Sequence, residues 1–295
     1  MRWKIGRRST NVEDRRDEES TGGGMGGGGF RVGWKTMLLV GVVGLALGQN
    51  PLQLLSMLSS LSGGNLGGLG GGSSSQVRHN TPSAASNEEA DFVSAILADT
   101  EDTWSVILSR AGKQYQAPHL VLFTDQVNSA CGMSSAATGP FYCPGDQKVY
   151  IDLGFFQTLS QLGASGDFAR AYVVGHEVGH HIQNLLGVSD QVHQLQQRMG
   201  QAEGNGLSVR LELQADCYAG VWAHHANKQR QLLEPGDVEE GLQAAASIGD
   251  DRLQGQAGHR VSPESFTHGS AEQRVSWLNK GLQTGDINAC NTFTK

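Results

Sequence analysis

Nineteen of the chain's 41 glycines fall within its first 100 residues, most of them in two tracts that no hydrophobic core can absorb. Gly22 to Gly29 is broken only by Met25, and Gly63 to Ser75 is glycine and serine with Asn65, Leu66 and Leu69. Such composition buries too little apolar surface to offset the entropy of ordering a backbone. The tracts read as tethers, so the folded part of this 295-residue chain is shorter than the chain. What remains from about residue 86 onward has the length of one ordinary domain, without an internal repeat.

Between the tethers lies a charge-free run, Thr36 to Gly48, preceded by Trp34 and Lys35 and followed by Gln49-Asn50-Pro51. It is shorter than the roughly 20 residues of a spanning helix, but Leu52 to Leu61 extends it with only Gln53 and serines as polar members. Residues 36–57 therefore read as a single-pass membrane anchor. Residues 1–35 hold eight Lys/Arg against five Asp/Glu, and no Lys or Arg follows the run until Arg78. That asymmetry puts the N-terminus in the cytoplasm. The expected organisation is a basic, Gly-rich cytoplasmic leader (1–35), the anchor (36–57), a Gly/Ser-rich tether (58–85) and an exported domain (86–295). A cleaved signal peptide competes, since Ala46-Leu47-Gly48 has a small-x-small pattern, although a charged leader of 35 residues is long for its N-terminal region. A core helix of a soluble domain would need a polar face, which Met37 to Leu47 lacks. Residues 36–295 carry a net charge of −10. With no basic cluster they repel phosphate backbones, which excludes nucleic acid as a partner.

Helix signals dominate the rest. Ser86-Asn87-Glu88-Glu89 opens a helix in which Phe92, Val93, Ile96, Leu97, Trp104, Ile107 and Leu108 recur at helical spacing. Leu120 to Phe123 and Val149 to Ile151 read as strands, and helices are expected over about 167–186, 206–232, 237–248 and 270–282, punctuated by Gly187 and Pro235. The fold class is α+β, mainly helical with a small sheet. In an exported chain, Cys131 and Cys143 close a short Gly- and Pro-containing loop and are expected to form a disulfide. Cys217 and Cys290 are either a second bridge or two buried thiols, and no cysteine has metal-ligand spacing.

The chemistry concentrates in His176-Glu177-Val178-Gly179-His180. On a helix, residues four apart lie roughly 40° from each other around the axis, so both imidazoles can share one metal ion. Glu177 is turned roughly 100° away, beside the metal, where a base takes a proton from activated water. The surrounding helix is apolar, and buried paired histidines need a partner. A catalytic zinc takes a third protein ligand. A metzincin would place Gly at 183 and His at 186, where this chain has Gln183 and Leu186. Glu212, in Glu212-Leu-Gln-Ala-Asp216, is the best candidate, with Asp216 one turn on to accept the N–H of a ligating histidine. The competing reading is a solvated acidic pair, which the apolar neighbours Leu211, Leu213, Ala215 and Val221 disfavour.

His-Glu-Val-Gly-His-His-Ile-Gln-Asn, followed by Glu-Leu-Gln-Ala-Asp-Cys-Tyr-Ala-Gly-Val-Trp and preceded by Gly-Pro-Phe-Tyr-Cys-Pro-Gly-Asp-Gln-Lys-Val-Tyr-Ile-Asp, resembles the bacterial neutral zinc metallopeptidases. The resemblance runs over nearly the whole chain. It implies a zincin-like gluzincin domain with Zn2+ on His176, His180 and Glu212, Glu177 as general base and Asp216 behind a ligand. It also implies that the strand at Lys148 to Asp152 lines the cleft and pairs with an extended protein or peptide substrate. The bacterial inner membrane then becomes the expected address, with the N-terminus cytoplasmic and the catalytic domain periplasmic. Phe266-Thr-His268-Gly-Ser-Ala-Glu-Gln-Arg274 is similar to a segment of the prenyl-protein endopeptidases, with Gly269 in place of their proline. There the histidine stabilises the oxyanion, whereas His268 could equally cap the last helix. His181, His224 and His225 read as supporting or surface residues. Zinc-dependent peptide hydrolysis is the expected function; a catalytically silent zinc-bearing scaffold and a hydrolase of non-peptide amides are the alternatives.

Overall fold

The computed structural model describes residues 1–18 and 83–293. Ser83 caps the first long helix, its side chain accepting from the Ser86 amide, and α1 runs Ala84–Arg110. Its apolar stripe, Phe92, Val93, Ile96, Leu97, Trp104 and Leu108, is fully buried. The strands are β1 (Val12–Asp14), β2 (His119–Phe123), β3 (Gln126–Ser129), β4 (Gly132–Ser135), β5 (Phe141–Cys143) and β6 (Lys148–Asp152). Four form a sheet in the order β1-β2-β6-β5, with β1, β2 and β6 parallel and β5 antiparallel. The period-two alternation of strands splits that sheet cleanly. Leu120, Leu122, Val149 and Ile151 face the main core, while Val121, Phe123 and Tyr150 face a smaller cluster with Val127 of the β3–β4 hairpin and Cys143.

Helices α2 (Gly154–Gln161), α3 (Asp167–Leu185), α4 (Val188–Gln196), α5 (Gln201–Arg230), α6 (Asp237–Ser247), α7 (Asp250–Gln256) and α8 (Ala271–Thr284) follow. The described chain is thus α+β and mainly helical. Nearly every residue of α3 from Phe168 to Gln183 is buried, because α5, α6 and α1 all pack on it. Where α5 crosses α8, a Cβ on Gly220 would lie 2.2 Å from the Leu278 carbonyl oxygen, so only glycine lets the backbones meet. Two disulfides are present, Cys131–Cys143 and Cys217–Cys290; the second ties the C-terminal turn to α5 and closes the question that spacing left open.

The N-terminal residues overturn the expected location. Rather than forming a separate cytoplasmic leader, residues 1–18 are built into the domain. Trp3 is buried edge-to-face on Phe92, at 5.2 Å. Glu101 of α1 accepts hydrogen bonds from Ser9, Asn11 and Arg7 at 2.6, 2.8 and 2.7 Å. Strand β1 pairs with β2 in the register Val12↔Leu120 to Asp14↔Leu122. Neighbouring strands of one sheet share a compartment, whereas a single membrane crossing between residues 18 and 83 would separate them. The inner-membrane, single-pass arrangement with a cytoplasmic N-terminus is therefore incorrect. Among the described residues no helix is long and apolar enough to cross a membrane. The run 36–57 expected as anchor, and with it the expected membrane contact, lies outside the described residues, as do the glycine tracts.

Candidate metal centre

The centre lies where α3 and α5 cross. A Cβ on Gly179 would stand 2.9 Å from the Ala215 carbonyl oxygen, and one on Gly175 would stand 2.8 Å from the Trp222 ring. These glycines therefore serve close helix packing, which brings Glu212 down onto the two histidines. The ligand atoms of His176, His180 and Glu212 all lie within 4.8 Å of one another. His176 Nε2 is 3.1 Å from Glu212 Oε2 and 3.2 Å from His180 Nε2, which is 3.4 Å from Glu212 Oε1.

Partners behind the rings decide what those atoms can be. His176 Nδ1 faces the Asp216 carboxylate at 2.8 Å, an acceptor, so Nδ1 carries the proton. His180 Nδ1 faces Gln183 Oε1 at 2.9 Å. The Gln183 amide is oriented by donating from Nε2 to the Leu211 carbonyl and to Gln214 Oε1, so its oxygen must face the ring. Each imidazole then has Nε2 facing the other ring and a carboxylate, placed to offer a lone pair wherever a metal ion replaces the Nε2 proton. Such a convergence calls for positive charge, either a proton on Nε2 or a bound cation, and two imidazoles with one carboxylate form a ligand set suited to zinc. The electrostatics of the centre express the same demand for positive charge. Although burial works to lower it, Asp216 and Glu212 drive the His176 pKa up to about 10. Against burial, His180 and His176 hold the Glu212 carboxyl well below the usual carboxylate range.

Asp216 is itself tightly held. Arg274 of α8, 3% exposed, donates from Nε to Oδ2 at 2.9 Å and from Nη2 to Oδ1 at 3.0 Å, and the Tyr172 hydroxyl donates to Oδ1 at 2.5 Å. Burial raises the Asp216 pKa, but Arg274 and His176 outweigh it and bring it to about 2. Glu177 is buried beside the ligands, and burial pushes its carboxyl up against the pull of His176 and His180. A carboxyl moved toward neutrality is suited to accept and return a proton.

The three ligand side chains, Glu177, Gln183, Tyr172 and Arg274 line a cleft of about 570 Å³ together with His268, Phe155, Val173, Ile248 and the segment Thr138 to Tyr142. His268 does not cap α8; Ser270 does, in a capping box with Gln273. Instead, Asp250 holds the His268 turn. Its Oδ2 accepts the backbone amides of Thr267, His268 and Gly269, and its Oδ1 faces His268 Nδ1 at 3.2 Å. That leaves Nε2 as the ring nitrogen available to the cleft.

The strand beside the cleft is β5, not β6. Strand β6 is paired on both sides, by β2 and β5, so it has no edge to offer, whereas β5 ends the sheet among the described residues. His181 is fully buried behind it: Nδ1 meets the Tyr142 hydroxyl at 3.0 Å and Nε2 the Gln116 carbonyl at 2.6 Å. His224 and His225 bind the carbonyls of Leu282 and Gly285 near the end of α8, away from the centre. Sequence reading missed Gln183, Arg274, Tyr172 and Asp250 as supports. Gln183 was open to discovery, being three residues beyond His180 on the same helix; Asp250 and Arg274 reach the centre only through the tertiary fold.

The family model described as "Putative neutral zinc metallopeptidase" matches residues 1–293. The chain belongs to this family. It is similar to the uncharacterized Escherichia coli (strain K12) protein YpfJ, 49% identical over 298 aligned positions that cover 100% of this chain and 99% of that protein. The uncharacterized Mycobacterium bovis protein Mb2605 is 50% identical over 191 positions, 61% of this chain and 64% of that one. No solved structure matches the chain.

Proposed function

We propose that this metallopeptidase-family chain is a zinc-dependent endopeptidase of gluzincin architecture, with His176, His180 and Glu212 as ligands. The observation that carries the reading is the convergence of two imidazole Nε2 atoms and a carboxylate beside a buried glutamate. Held by these three side chains, zinc would supply the Lewis acidity that activates a water near neutral pH and polarises a scissile carbonyl. Glu177 takes the water proton on its carboxylate and returns it to the amine nitrogen as the peptide bond breaks. Asp216 keeps the His176 proton on Nδ1, and Gln183 does the same for His180. His268, which burial would keep neutral but Asp250 and Glu212 favour as the imidazolium, keeps one proton on Nδ1 toward Asp250 and donates the other from Nε2 to the carbonyl oxygen as negative charge develops there. A strand edge along the cleft, unpaired in the sheet of the described residues, favours an extended peptide over an isolated amide, because main-chain groups of β5 can pair with it.

The test compares the purified full chain with Glu177→Gln on denatured casein. The wild type is expected to bind one zinc and cleave. Glu177→Gln is expected to keep the zinc and lose about 10²- to 10⁴-fold in rate. A zinc-loaded wild type that cleaves nothing would sink the peptidase reading in favour of a silent scaffold, and equal cleavage by both would point to a contaminant.

A further inference from the structure

The two histidines that end the motif region, His180 and His181, point in different directions, being successive residues roughly 100° apart around the helix. His180 turns to the metal centre; His181 turns to the strand wall. The Gln116 carbonyl can only accept, so His181 carries its proton on Nε2 and offers Nδ1 as an acceptor. The Tyr142 hydroxyl therefore donates to His181 Nδ1, while its oxygen accepts from Asn184 Nδ2 at 3.1 Å. The donors and acceptors of this neutral cluster match one another, which fixes a single arrangement. Tyr142 is the middle residue of β5, whose ladder to β6 is only three pairs long and is bounded by Pro140 and Pro144. A strand that short is weakly positioned by its ladder alone. The second hold comes from α3.

We propose that His181, Asn184 and Tyr142 form a positioning latch that fixes the register between the metal-bearing helix and the strand aligning the substrate backbone. The inference rests on the peptidase reading. A peptide lying along β5 inherits its placement from Tyr142, and Tyr142 is held one residue away from a metal ligand. Dependence on the latch therefore grows with the length of substrate that uses the strand. None of the three residues touches the reacting bond.

The experiment uses the full chain as wild type, Tyr142→Phe, His181→Phe and His181→Asn, each checked for zinc content and thermal midpoint. The probes are four- and ten-residue peptides centred on the main bond that the wild type cuts in denatured casein. Losing one buried neutral hydrogen bond should lower kcat/KM about tenfold on the long peptide, and under about threefold on the short one, with zinc content intact. His181→Asn, which keeps an acceptor facing Tyr142, should recover part of what His181→Phe loses. Equal losses at both lengths, or none at either, overturn the latch and leave the peptidase reading standing. Loss of zinc or of the fold in both Tyr142→Phe and His181→Asn also overturns it, because the cluster then serves stability. A wild type that cuts no peptide removes the peptidase reading, and the latch with it.

Discussion

The two walls of the cleft are held by different physics. The helical floor, α3 with α5 and α8, is fixed by charge and by backbones in contact. Asp216 is gripped by Arg274, Tyr172 and His176, and Gly179 lets α5 approach within touching distance. The strand wall carries no buried charge at its attachment to α3. A three-pair ladder, a neutral hydrogen-bond cluster and the Cys131–Cys143 bridge hold it. On the proposed reading, metal-ligand geometry tolerates little error and a compensated charge network fixes it, while substrate alignment tolerates more and neutral contacts suffice.

Three perturbations test that contrast, in order of their expected effect on bound zinc. Asp216→Ala should be the most damaging, since it frees the His176 tautomer and strands the buried Arg274 guanidinium. A loss of about 3–5 kcal/mol in urea unfolding and of about 10- to 100-fold in zinc affinity by chelator competition is expected. A loss below about 1 kcal/mol, ordinary for an exposed pair, would erase the distinction between the walls. Gly179→Ala should act more mildly. Alanine normally gains about 1 kcal/mol over glycine within a helix, but here its methyl meets the Ala215 carbonyl, so a net destabilisation of about 1–3 kcal/mol with weaker zinc binding is expected. A higher melting temperature with unchanged zinc would mean that the helices simply yield. Mild reduction should leave zinc untouched. Cys131 is exposed although its partner Cys143 is buried, whereas Cys217 and Cys290 are both fully buried, so the first bridge should open first and thiol labelling should find Cys131 first, with cleavage of long peptides slowed and metal content constant. Zinc release at that stage would show that the walls are not independent.

Much of the floor was legible in the sequence because it is written in helical periodicity. His176, Glu177 and His180 are fixed by spacing along one helix, Glu212 and Asp216 by spacing along another, and α3 itself runs Asp167–Leu185 against an expectation of 167–186. The strand wall was legible only as strands. Val149 to Ile151 reads as a strand from composition, but whether it lies inside the sheet or at its edge depends on Phe141 to Cys143, a three-residue element too short to leave a pattern. The supports of the centre were hidden for another reason: Asp216 and Arg274 are 58 residues apart, and nothing local announces their contact. The N-terminal residues were misread because charge dominates them. Arg7, Arg8 and Arg16 look like a leader's positive cluster, yet in the fold they pair with Glu101, Asp91 and Asp14 along α1 and β1.

Strand β1 also changes where this protein can be cut. The glycine tract invites truncation at Ala84, but a chain beginning there would leave the His119–Phe123 edge of the sheet bare, Phe92 without its Trp3 lid and Glu101 buried without its three donors. An uncovered edge reading His-Leu-Val-Leu-Phe is a template for pairing with another copy. The first eighteen residues thus behave as a strand-shaped ligand that the chain carries for itself, and a shortened protein would be a receptor waiting for its own missing piece.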